Sequence, residues 1–130
     1  GMVRDYMPEG YPPDHPLVPH GMAVVLNAPA VFRFTAPANP AQHLQAAQLM
    51  GKDTSGAAPE DAGEILADAI IDMMRAVGMP NGLSAVGYGS DDVDKLVEGT
   101  LPQHRVTKLS PRPVSAEDLK QLFLDSLTLW

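Results

Sequence analysis

The sequence predicts an all-α fold of about five helices, and three observations predict it. Aromatic residues make up only 5% of the 130 positions, whereas Ala, Leu, Val and Met, which suit helix packing, are plentiful. Apolar residues recur at intervals of three, four and seven, the repeat of a helix that buries one face. No stretch keeps the period of two that a half-buried strand requires. The thirteen prolines fall mostly between the periodic segments, where they act as punctuation.

Gly1 before Met2 has the form of a scar left by tag removal, which makes Met2 the expected start of the natural chain. Residues 1–19 are rich in proline and have no hydrophobic period, so they read as an irregular arm that buries little apolar surface itself. Residues 20–130 read as one helical domain. The first helix is expected over residues 20–34, apolar on nearly every face and kinked near Val25, because Pro29 removes one backbone hydrogen bond. Asn39 is the expected cap of a second helix, with Pro40 at its first position, Gln42 placed for a capping-box contact and Gly51 as the stop.

The third helix opens on Pro59, Glu60 and Asp61, whose acids suit the helix dipole. Its apolar stripe is Ile65, Leu66, Ala69, Ile70, Met73, Met74 and Val77, and Gly78 with Pro80 ends it. A short connector with the apolar residues Leu83 and Val86 follows. Ser90 is the expected cap of a fourth helix that runs through Val97 and Leu101. Ser115 and Asp118 form a capping box for the last helix, which carries Leu119, Leu122, Phe123 and Leu127.

Bulk properties narrow the function. A formal net charge of −7 argues against nucleic acid and anionic membrane as partners, since both need a positive field. No run reaches the roughly 18 apolar residues of a spanning helix, so a soluble chain is expected. With no cysteine, disulfides, thiolate metal sites and cysteine nucleophiles are excluded. No export signal is visible, and a cytoplasmic location is the plain expectation.

Four histidines are candidates for chemistry. None stands at the i, i+4 spacing of a helical metal pair, and no HExxH is present. His43 and His104 read as surface positions. His15 follows Asp14 in a proline-rich turn, where both are candidates to support a metal ligand from behind. His20 is the sharpest candidate: it precedes an apolar helix, and a helix N-terminus favours the neutral imidazole that a metal binds. Ser84, Ser90 and Ser115 are explained by turns and caps, with no GxSxG elbow around any of them. The GYGS stretch at residues 87–90 lacks the lysine and strand of a phosphate loop. The residues by themselves supply no complete active site.

The stretch PHGMAVVLNAPAVF, preceded by DHPLV, resembles the iron-containing (group III) alcohol dehydrogenases, nearest to their hydroxyacid–oxoacid transhydrogenase branch. The resemblance continues through LADAI and GLSAVGYGSDDVDKLVEGTLPQHRVTKLSPRPVSAEDLKQLF, so it covers nearly all of the chain after the arm. It implies part of the C-terminal helical domain of the dehydroquinate synthase-like fold. Complete members of the family add an N-terminal α/β nucleotide-binding domain, with the active site in the cleft between the two. A divalent metal, iron or sometimes zinc, is held there by one Asp and three His, while NAD(P) exchanges hydride. The histidine of the family's PHG motif maps onto His20. The other three ligands and the phosphate-binding region belong upstream, so the resemblance implies that His20 is a single orphaned ligand.

That implication yields two expectations. One is a C-terminal portion of an alcohol or hydroxyacid oxidoreductase that is catalytically incomplete, binding neither metal nor NAD(P) by itself. The other is a non-catalytic helical module that keeps the scaffold for assembly. In both, the apolar faces over residues 20–34 and 60–77 are expected to associate, in a homo-oligomer or with a separate chain carrying the nucleotide domain.

Overall fold

The computed structural model describes residues 4–12 and 14–130, so the expected scar at Gly1 and start at Met2 lie outside the described residues. Among the described residues the regular structure is helical throughout, with seven α-helices, four short 3-10 turns and no strand. The described residues of the arm up to Pro19 carry no helix. It closes on itself where the Leu17 amide donates to the Tyr6 carbonyl at 2.9 Å, and Tyr6 and Val18 pack against the core of this same chain.

The single helix expected over residues 20–34 is two helices, α1 (His20–Val25) and α2 (Ala28–Thr35). Pro29 has no N–H to offer the Val25 carbonyl, and its ring crowds that carbonyl, so the ladder breaks at Leu26 and Asn27 where only a kink was expected. The ladder restarts with the Val31 amide on the Asn27 carbonyl at 3.1 Å. Helix α3 (Pro40–Leu49) begins as expected, with Asn39 Oδ1 accepting from the Gln42 amide at 3.3 Å. It ends at Gly51, whose φ of +93° lets the Lys52 amide reach back to the Ala47 carbonyl at 3.0 Å.

Residues 59–61 form a 3-10 turn that leads into α4 (Ala62–Ala76). Asp61 holds this start by accepting from the Ala58 amide at 3.1 Å. Gly78, at φ +68°, stops α4, and the Met79 amide bonds the Met74 carbonyl at 2.9 Å. Helix α5 is Val93–Thr100, and its entry differs from the expected Ser90 cap. The carboxylate of Asp92 accepts from the Gly89 amide at 3.0 Å and also pairs with Arg4 of the arm, which leaves Asp92 8% exposed. A one-turn helix α6 (His104–Thr107) lies between the expected fourth and last helices, where none was expected; with the split at Pro29 it accounts for seven helices in place of five. Helix α7 (Ala116–Asp125) carries the expected box: Ser115 Oγ accepts from the Asp118 amide at 3.1 Å, and the Ser115 amide donates back to Asp118 at 2.8 Å.

Helix α4 is the centre of the molecule, packed against α2 on one side and α3 on the other, while α5 pairs with α7. Leu66, Ile70 and Met74 of α4 meet Leu26, Ala47, Leu83 and Val86 in one core. Where α2 crosses α4, Arg33 grips Glu64 through two hydrogen bonds of 2.6 and 2.9 Å. That guanidinium holds the Glu64 carboxyl below the ordinary glutamate range. The expected α4 stripe is only partly buried, because Met73 and Val77 face solvent at 49% and 74% exposure.

Candidate functional site

His20 is the first residue of α1 and its side chain is exposed. Proline sets this geometry: Pro19 takes the position just outside the helix, with φ −54° and ψ 144°, and its carbonyl accepts from the Ala23 amide at 2.9 Å. The imidazole is therefore presented from a fixed helix start. It lines a cavity of about 510 Å3 together with Leu26 and Asn27 at the α1–α2 break, Tyr88, Leu96 of α5 and Phe123 of α7. His20 and Ala23 line it from one face of α1, being three residues apart, and Asn27 joins them from the break that follows.

Asn27 was not singled out by sequence reasoning. Its Nδ2 donates to the Ala23 carbonyl at 3.0 Å, which fixes the amide orientation, and its Oδ1 is buried with no acceptor bond among the described residues. The sequence signal was present, since Asn27 stands two residues before the Pro29 that breaks the helix. Tyr88 was passed over in the same way. Of the GYGS stretch Tyr88 alone lines the cavity among the described residues, directly after Gly87, whose φ of +94° turns the chain there.

Asp14 and His15, the expected supports of a ligand, form a pair of their own: His15 Nδ1 lies 2.8 Å from Asp14 Oδ1. Both side chains are mostly exposed, and neither lines the cavity beside His20. His104 opens α6 and is exposed, as its surface reading expects. His43 corrects its surface reading. It is half-buried between α2 and α3, with Nδ1 donating to the Asn39 carbonyl at 2.8 Å and Nε2 lying 3.0 Å from Thr35 Oγ1. Its ring also meets Phe32 edge-on, with centroids 5.8 Å apart, so both nitrogens and one face serve packing.

A metal site needs at least three convergent protein donors in a catalytic centre. Among the described residues no group of three His, Asp or Glu side chains is placed to hold a metal ion. The described residues of this chain therefore do not by themselves fit the iron site that the resemblance implies. No helix among them is long and apolar enough to cross a membrane.

Comparison with known proteins agrees with the sequence resemblance. The model described as "Fe-containing alcohol dehydrogenase family, C-terminal" matches residues 16–127. The "Probable hydroxyacid-oxoacid transhydrogenase, mitochondrial" of Dictyostelium discoideum is 53% identical over 130 residues, covering 99% of this chain and 24% of that protein. The "Hydroxyacid-oxoacid transhydrogenase, mitochondrial" of Pongo abelii is 51% identical, covering 100% of this chain and 28% of that protein. A crystal structure of a 1,3-propanediol oxidoreductase superposes with a TM-score of 0.76 at 28% identity, covering 84% of this chain and 28% of that one. The chain thus spans about a quarter of the length of the curated relatives it matches. The expected cytoplasmic location is corrected by the same comparison, because these relatives are named as mitochondrial proteins. Its two supports, absent cysteine and no visible export signal, do not separate the cytosol from the mitochondrial matrix.

Proposed function

The chain belongs to the iron-containing alcohol dehydrogenase family, as its C-terminal helical part, and we propose that it supplies one metal-binding imidazole, His20, to a hydroxyacid–oxoacid oxidoreductase whose remaining parts lie outside these residues. The observation that carries the reading is the placement of His20. A side chain whose role was packing would be at least half-buried and partnered on both nitrogens, as His43 is; His20 instead stands exposed on a proline-set helix start, beside a cavity. An imidazole presented in this way can donate a lone pair to a cation that a second surface brings to it. The names of the relatives supply the substrate class, an alcohol-bearing acid exchanging two electrons with a keto acid. In this reading the nicotinamide cofactor and three further metal ligands come from the upstream portion.

The reading predicts an assembly that is inert in pieces. The purified chain, supplied with Fe2+ or Zn2+, NAD or NADP and a short hydroxyacid such as 4-hydroxybutyrate, is expected to show no turnover above the metal-only blank. The check is absorbance of reduced nicotinamide at 340 nm. Turnover that needs this chain alone and disappears in His20→Ala would contradict the division of labour.

A further inference from the structure

The chain has three asparagines, and one of them, Asn81, is followed by glycine. Asparagine is a chemically labile residue because the next backbone nitrogen can attack its side-chain carbonyl and close a five-membered ring. Glycine has no side chain to hinder that attack. Asn27 precedes Ala28, and Asn39 precedes Pro40, whose nitrogen has no proton to give up.

The fold dictates both halves of the pair. Gly82 has a φ of +74°, and a Cβ there would collide with the backbone carbonyls of Ser126 and Leu127. Asn81 is bound through both ends of its amide. Oδ1 accepts from the Leu129 amide at 2.8 Å and the Trp130 amide at 3.1 Å, and Nδ2 donates to the Trp130 carbonyl. The Gly82 amide, which would supply the attacking nitrogen, donates to the Pro80 carbonyl at 3.0 Å. The connector just beyond is pinned by the Leu83 amide on the Ser126 carbonyl at 2.8 Å and the Ser84 amide on the Leu127 carbonyl at 3.0 Å.

We propose that Asn81–Gly82 is a deamidation site held latent by the C-terminal segment, and that local opening of residues 127–130 releases it. In the reaction the Gly82 nitrogen loses its proton to water and bonds to Asn81 Cγ. The Cγ–Nδ2 bond breaks, and Nδ2 takes a proton from water and leaves as ammonia. Water then opens the ring at Cγ to give aspartate, or at the main-chain carbonyl carbon to give isoaspartate. No oxidant or cofactor enters. Ring closure waits for the opening because three hydrogen bonds hold the side-chain amide and a fourth occupies the nucleophile. The two products differ in what they can restore. Aspartate keeps an oxygen that accepts from the Leu129 and Trp130 amides and loses only the donor that faced the Trp130 carbonyl. Isoaspartate adds a methylene to the backbone beside Gly82, where the chain is already in contact with the Ser126 and Leu127 carbonyls, so the Leu83 and Ser84 bonds cannot both re-form.

The test incubates the 130-residue chain, the chain lacking residues 129 and 130, and a peptide of residues 79–85 together at neutral pH. Mass spectrometry reads the exchange of NH2 for OH at Asn81, and isoaspartyl-specific methylation reads the rearranged product. The peptide is expected to react at least about tenfold faster than the folded chain, because the bonds to residues 129 and 130 must open first. The shortened chain, with helix content by circular dichroism unchanged, is expected to approach the peptide. A second measurement needs no variant. In the unsubstituted chain, slowing of hydrogen exchange at the Leu129 amide is expected to match the slowing of deamidation to within about threefold, since one opening governs both. The proposal is overturned if the folded chain reacts as fast as the peptide, or if the two slowing factors disagree. It is also overturned if the shortened, still helical chain reacts no faster than the unsubstituted one; a slower reaction there would mean that the two amides on Oδ1 activate the carbonyl.

Discussion

Replacing Leu26 by alanine is expected to lower the stability of the fold by about 3–5 kcal/mol, the upper part of the range for a fully buried leucine. Leu26 is 0% exposed and sits in the break between α1 and α2, where it meets the core formed by Leu66, Ile70, Met74, Leu83 and Val86. Two local facts place the effect near the top of the range. The break is fixed by Pro29, so the backbone on one side of the lost side chain has little freedom to collapse into the void. Leu26 also lines the cavity beside His20, and the lost atoms enlarge a space that already exists. Against a typical total of about 5–15 kcal/mol, the loss is a large fraction of the whole. Urea unfolding followed by circular dichroism reads it as a lower midpoint with unchanged slope. A loss below about 1 kcal/mol would mean that α1 is not seated on the core as described.

The second large effect is steric. Gly82 has a φ of +74°, and a Cβ built there would lie 2.4 Å from the Leu127 carbonyl oxygen and 2.7 Å from that of Ser126. Both obstacles are backbone, so neither can rotate away. Gly82→Ala must push the C-terminal segment off the connector that follows α4. That segment is tied down by the Leu83 amide on the Ser126 carbonyl at 2.8 Å and the Ser84 amide on the Leu127 carbonyl at 3.0 Å. Asn81 completes the clasp: its Oδ1 accepts from the Leu129 amide at 2.8 Å and the Trp130 amide at 3.1 Å, and its Nδ2 donates to the Trp130 carbonyl. Gly78→Ala is the internal control, with a similar φ of +68° and nothing within 4 Å of the added carbon. It should cost only the left-handed backbone term of about 1 kcal/mol. Gly82→Ala should cost at least about 2 kcal/mol more, from the broken clasp, and hydrogen exchange at Leu83, Ser84 and Leu129 should accelerate. Equal losses from the two variants would remove the clasp from the account.

These cases show how much of the molecule was legible in its sequence. Helix boundaries set by short-range chemistry were readable: Asn39 and Ser115 as caps, and Gly51 and Gly78 as stops, act within five residues of the bonds they control. The break at Pro29 was half-read, because one missing donor foretells a disturbance without saying whether the helix bends or ends. Contacts between distant residues left no local trace. The Asn81 clasp joins positions 48 and 49 residues apart, and Asp92, whose carboxylate holds the Gly89 amide where Ser90 was the expected cap, also pairs with Arg4 of the arm. His43 was misread for the same reason, since only the crossing of α2 and α3 shows that Thr35 waits for its second nitrogen.

The periodicity of α4 carried a different lesson. It marks every position that is apolar along the helix, without naming what covers each one. Leu66 and Met74 are covered by this chain, whereas Met73 and Val77 are left to solvent. The candidate site divides in the same way. The PHG motif located His20, and helix geometry placed it beside a cavity; the cavity's other walls, at Tyr88, Leu96 and Phe123, come from parts of the chain that only the fold brings together.

Calorimetric titration of the unsubstituted chain and of His20→Ala with Zn2+, and with Fe2+ under anaerobic conditions, tests the central claim most directly. One imidazole without convergent partners predicts no saturable heat in the micromolar range for either protein and no difference between them. Stoichiometric micromolar binding by the unsubstituted chain that vanishes in His20→Ala would contradict the claim, because it would show a complete coordination sphere built from these residues.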